Sequence, residues 1–168
     1  MISTILNIFI NFLLCLYGNP FYDNATYIAY QLNHLPLVFC WTAITVYGLY
    51  FYSDEIWTYS NYLYKKWMHK ICCLLLLVGP FVPYSTAETW TNDFHVWLIA
   101  LALIMFYIQW ISFFQFQQKR TTLKKWFLIH TCINMALLFF FGHVTLCNQI
   151  YFSLSMNLLL KKRVRNTI

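Results

Sequence analysis

Residues 97–125 read WLIALALIMFYIQWISFFQFQQKRTTLKK: twenty residues without a charge, then nine that include Lys119, Arg120, Lys124 and Lys125. A helix needs about 20 residues to cross roughly 30 Å of hydrocarbon, and only Gln109, Ser112 and Gln115 interrupt this one. The other seven cations repeat the arrangement. Lys65, Lys66 and Lys70 stand before one apolar run, and Lys161, Lys162, Arg163 and Arg165 follow another. The stretches before and between the three clusters hold no Lys or Arg, but they do hold Asp23, Glu88 and Asp93. That alternation is the positive-inside signature of a chain that crosses a bilayer several times.

The apolar runs predict spans over residues 1–18, 35–52, 67–84, 97–116, 126–142 and 144–160. The sixth is interrupted by Asn148, Gln149, Ser153, Ser155 and Asn157, and charge decides whether it counts. With five spans, the tail cations would face the side opposite the other two clusters. With six, all eleven share one side and both termini are cytoplasmic. Trp57, Trp67 and Trp126 then fall at the inner interface and Trp90 and Trp97 at the outer, where indoles settle. The expected fold is therefore an all-α integral membrane protein, a six-transmembrane-helix bundle forming one domain over residues 1–168. A multi-pass protein of the plasma membrane is the expected location.

Composition agrees. The chain is 61% hydrophobic, 21% aromatic and only 10% charged, where a soluble domain carries about a quarter charged residues. The net charge of +6 does not indicate nucleic acid, because the cations sit beside apolar spans and not along a groove. There they meet the anionic inner leaflet, worth about 1 kcal/mol each. The six cysteines show no metal-finger spacing, and five lie in apolar runs where Cys acts as a small hydrophobe. The N-terminus lacks a basic start and a small-residue cleavage site, so it reads as a retained helix. The sequon Asn24-Ala25-Thr26 falls in the first outer loop.

Polar side chains at membrane depth are costly unless partnered, so they lead to function. Ser3, Asn7 and Asn11 share a face of the first helix, His130 and Asn134 a face of the fifth, and Gln109 and Ser112 a face of the fourth. Two readings stand. These groups act as interhelical glue, at about 0.6 kcal/mol per contact, or they line a polar cavity open to the cytoplasmic leaflet that holds a lipid headgroup or small solute. At the outer edge, Asp93, His95 and His143 are candidate catalytic and metal-ligating residues. Imidazole and carboxylate suit zinc, and zinc can activate water. No His-x-x-x-His or His-Glu-x-x-His pair supports them, so the alternative is that they are loop polars. Haem would need a His pair on facing helices, such as His69 and His130. The sequence identifies no cofactor.

The stretch 69–106 carries Leu77-Val78-Gly79-Pro80-Phe81-Val82-Pro83, a polar loop with Asp93, and His95 opening a helix with Ala100 and Ala102. It resembles the third-to-fourth span region of a six-span superfamily that includes the damage-regulated autophagy modulators, the GPI-anchor lipid-remodelling cofactor and a prokaryotic branch. Residues 25–50, running to Val46-Tyr47-Gly48-Leu49, are also similar. The acidic residue expected at the start of the sixth helix is here replaced by Asn148-Gln149. The resemblance implies six helices with both ends inside, links to lipid handling or signalling, and a shared outer-face site at Asp93 and His95. It implies no reaction.

The leading expectation is a bundle that binds or organises membrane lipid, a partner membrane protein or a second copy of itself, with no defined reaction. The alternatives are a small metal-dependent hydrolase or transferase acting on lipid at the outer face, and a transporter or channel subunit. Against the last, no charged residue lies in mid-membrane and no inverted repeat is visible.

Overall fold

The structure, a computed structural model, describes residues 2–82, 89–119 and 121–165; within these, the side chains of Ile2, Ser3, Thr89, Thr91, Asn92, Asp93 and Arg165 lie outside the described residues. Every regular element among the described residues is a helix. They are α1 (Ile2–Tyr17), α2 (Ala25–Tyr30), α3 (Leu35–Tyr59), α4 (Lys66–Val78), α5 (Thr89–Phe116), α6 (Thr121–Phe141) and α7 (Leu146–Arg165). A 3₁₀ turn, Gly79–Phe81, continues α4.

Among the described residues, three segments are long and apolar enough to cross a membrane: Leu35–Tyr59, Phe94–Phe116 and Thr121–Phe141. The others fall short in different ways. α1 is apolar but has only 16 residues. α4 has 13, because Pro80 lacks the N–H that would extend the α-helix. α7 is long enough at 20 residues but carries the amides and hydroxyls that interrupt its sequence. Four helices outrun the sequence expectation. α6 starts at Thr121, five positions before Trp126, and α7 ends at Arg165, five past Leu160. α3 runs through Asp54 and Glu55 to Tyr59, and α5 starts at Thr89, eight positions before Trp97.

The ends are set by local chemistry. Asn24 caps α2 by accepting the amide of Tyr27 at 2.8 Å. Pro36 lies in the first turn of α3, where its missing N–H costs nothing. Gly142 takes φ +71° just past α6, the left-handed stop that glycine tolerates. Thr145 and Asn148 open α7 reciprocally: the Thr145 hydroxyl donates to Asn148 Oδ1 at 2.8 Å, and the Asn148 amide points back at that hydroxyl.

Two apolar cores stand at opposite ends. One gathers Trp57, Phe106, Trp110, Phe113, Phe127 and Leu160 with Val164. Here the Gln117 amide donates to the Ser60 carbonyl at 2.9 Å, joining the ends of α5 and α3, and Lys161 meets the Thr4 hydroxyl, joining the end of α7 to the start of α1. The starts of α4 and α6 belong to this end too, so the described members of all three cation clusters lie at it. The second core, with Leu14, Ile28, Val38, Trp41 and Leu146, closes the other end. There the first amides of α7 are taken up by the loop after α1: Leu146 N–H by Asp23 O at 2.6 Å and Cys147 N–H by Pro20 O at 2.8 Å.

Candidate functional site

Between the two cores lies a buried polar layer built from α1, α3 and α7. Its hub is Ser153, which has no exposed surface. The side-chain amides of Asn7 and Asn11 each donate to Ser153 Oγ at 3.2 Å, and Thr45 Oγ1 stands 2.7 Å away. A serine oxygen has two lone pairs and one proton. With both lone pairs engaged by amides, the proton goes to Thr45. Asn11 Oδ1 accepts from the Trp41 indole at 2.8 Å, which ties α3 to α1 a second time. Asn157 donates to the carbonyls of Ser153 at 2.8 Å and Thr45 at 3.3 Å.

The spacing on α7 explains the layer. Gln149, Ser153, Asn157 and Lys161 recur every four residues and so share one face. Their partners are Ala25 N–H at 2.7 Å, the Asn7–Asn11–Thr45 set, the Thr45 carbonyl and Thr4. A second stripe faces α6. Asn148 donates to the Asn134 carbonyl at 3.2 Å, and Ser155 lies 2.6 Å from His130 Nδ1. Because Ser155 also reaches the Tyr151 carbonyl, which can only accept, its single proton goes there and His130 Nδ1 is the donor. The polar residues that interrupt α7 are thus the seams by which it is held on two sides.

The six residues expected to form one intramembrane cluster divide into three places. Asn7 and Asn11 enter the layer. His130 and Asn134 line the α6–α7 seam. Gln109 sits on α5 with its amide on its own helix, at Met105 O and 3.1 Å, and Ser112 is half-buried one turn further on. Reading the sequence missed Trp41 and Thr45 as members, and noted Ser153 and Asn157 only as interruptions. The four-residue spacing 149–153–157–161 was the available signal.

At the other end, His95 Nε2 is 3.1 Å from the Thr26 hydroxyl, clasping α5 to α2. The Tyr30 phenol donates to the Pro80 carbonyl at 2.8 Å, and burial holds its pKa above the ordinary value. His143 presents both ring nitrogens to carbonyls, Phe141 O at 2.9 Å and Tyr22 O at 3.3 Å. The Asp93 side chain and all of Glu88 lie outside the described residues. Among the described residues, no three His, Cys, Asp or Glu side chains gather into a group able to hold a metal ion. His69 packs between Tyr50 and Trp57 with Nε2 3.2 Å from the Tyr50 carbonyl, while His130 belongs to the seam with α7.

No protein family, no curated protein and no solved structure matches the chain.

Proposed function

We propose that this chain is a six-span membrane protein, both termini cytoplasmic, that binds or organises lipid through its apolar exterior. The observation that carries the reading is how little of α6 is covered. α6 packs chiefly along α7, and its far half presents Phe139, 91% exposed, with Phe140 and Met135. Water would make such a face an aggregation surface; acyl chains or a neighbouring membrane helix make it ordinary. The gathering of the described cations at one end of the bundle supports the shared cytoplasmic side, because that end then meets the anionic leaflet. The superfamily resemblance points the same way, and on it Asp93 and His95 are carried as the outer-face site.

The test has two arms. Reporter tags on the N-terminus, the C-terminus and the 19–24 loop are scored for protease access in sealed vesicles. Both termini protected on the inside, with the loop cut from outside, is the expected result; termini on opposite sides would end the six-span reading. Native mass spectrometry of protein released from nanodiscs should then show retained lipid. Retention of a stoichiometric protein without lipid would replace lipid by a partner membrane protein as the ligand.

A further inference from the structure

Asn157 is 6% exposed, and its side-chain nitrogen is committed to two backbone carbonyls, which fixes the orientation of the carboxamide. The oxygen that this leaves, Oδ1, is buried without a hydrogen-bond partner. Such an acceptor is costly unless something donates to it. Oδ1 lies against the bare Cα of Gly48, where any Cβ would collide with it. Both residues line a cleft of about 10 Å³ between α1, α3 and α7, together with Thr4, Asn7, Ile44, Tyr52 and Leu158. That volume takes one group the size of a water molecule. One turn nearer the basic end, Lys161 meets the hydroxyl of Thr4, itself a lining residue of the cleft, so its partner there is a hydroxyl, not a carboxylate.

The cleft therefore offers a cation at its rim and an acceptor about 6 Å deeper, four residues along a helix. In the membrane reading above, on which this inference rests, the rim lies at the level of lipid phosphates and Asn157 at the level of the lipid backbone. A diacyl glycerophospholipid presents only ester oxygens there, which would set acceptor against acceptor. A free hydroxyl is a donor of the right size for a cleft of this volume, and Gly48 lets the Asn157 carboxamide sit there because a Cβ on α3 would displace it. We propose that the cleft binds a phosphate-bearing lipid with a free hydroxyl on its backbone, the phosphate on Lys161 and the hydroxyl on Asn157 Oδ1. Two lipid classes share this chemistry: lysophospholipids, through the unacylated glycerol hydroxyl, and sphingolipids, through the hydroxyl of the sphingoid base.

The test uses the full chain in phosphatidylcholine nanodiscs doped with a minor fraction of one probe lipid, with retention read by native mass spectrometry. The probes are lysophosphatidic acid, ceramide 1-phosphate and phosphatidic acid, with inorganic phosphate as the headgroup alone. At least about tenfold stronger retention of either hydroxyl-bearing probe over phosphatidic acid is expected. Preference for lysophosphatidic acid alone assigns the glycerol class, and for ceramide 1-phosphate alone the sphingoid class. Lys161→Gln should weaken all three lipids alike, while Gly48→Ala should abolish the hydroxyl preference. Equal retention of phosphatidic acid, or saturation by inorganic phosphate, overturns the proposal. The nanodisc comparison needs no variant, so a misfolded mutant does not blunt it. If the topology arm holds and the hydroxyl preference is absent, only this inference falls; if the termini prove to lie on opposite sides, the reading beneath it falls as well.

Discussion

Gly48 lies directly beneath the carboxamide of Asn157, so close that a Cβ on Gly48 would collide with Asn157 Oδ1. The absence of one side chain on α3 is thus what lets α7 approach it closely at this level, as small residues do at membrane helix interfaces. Gly48→Ala should destabilise the bundle by about 1–3 kcal/mol, the ordinary cost of overpacking a tight core. Asn157→Ala in the same chain should restore part of that loss, because the two changes share one contact and cannot add. Thermal unfolding in detergent, followed by tryptophan fluorescence, gives the four values of the cycle. Strict additivity would mean that the two residues do not touch.

Ser153→Ala removes an oxygen shared by three side chains, of which Asn11 keeps a second acceptor in the Asn7 carbonyl at 2.7 Å. The amides of Asn7 and Asn11 lose their common acceptor, and Thr45 loses a donor. With interhelical contacts at about 0.6 kcal/mol each, the expected loss is about 2 kcal/mol. A melting temperature equal to that of the unaltered protein would remove Ser153 from the centre of the layer.

Trp41→Phe keeps the aromatic packing of α3 while deleting the indole N–H that reaches Asn11 Oδ1 at 2.8 Å. It leaves a buried acceptor without a partner, at a cost of about 1–3 kcal/mol. Asn11→Leu in the same background removes that acceptor but also the amide that donates to Ser153 Oγ and the Asn7 carbonyl, so the double variant should cost less than the sum of the two single changes. Unfolding of the single and double variants side by side decides it.

His95→Phe and Thr26→Val should each loosen the contact between α5 and α2 without disturbing the polar layer, and the double variant should cost less than the sum. Proteolysis of the 19–34 region reports the loosening locally, as opening of a low-stability unit. If the two variants are independent, the 3.1 Å contact contributes nothing.

The seam on the far side of α7 makes a separate forecast. Ser155→Ala strands the N–H of His130 Nδ1, whereas Ser155→Thr keeps an oxygen in reach. Alanine should cost about 1–2 kcal/mol and threonine little, measured by unfolding in the same detergent. Equal losses from both would mean that packing, not the hydrogen bond, holds α6 to α7.

Much of this architecture can be read from the chain. Apolar runs flanked by cations mark where helices lie, because a side chain's affinity for water or hydrocarbon depends on its own chemistry and needs no neighbour. That is why α1 and α3 to α7 fall on the six apolar segments, and why the basic clusters mark their shared end. The helices themselves run on through Lys124 and Lys125 and through Lys161–Arg165. The limits of α3 and α5 were less legible, because Ser53-Asp54-Glu55 and residues 89–96 are polar enough to resemble loop and still helical in the structure.

What only the tertiary structure decided is which polar groups meet. Asn7, Gln109 and His130 look alike in sequence, each one amide or imidazole in an apolar helix. A hydrogen bond depends on the rotation and neighbour of each helix, and apolar faces that pack against protein or against lipid carry the same residues. Hence Asn7 found Ser153, His130 found Ser155, and Gln109 found only its own helix. The chain's own pattern determined that helices form and where the charges go. The packing of α1, α3 and α7 around Gly48 determined that a polar layer, and a cleft beside it, exist at all.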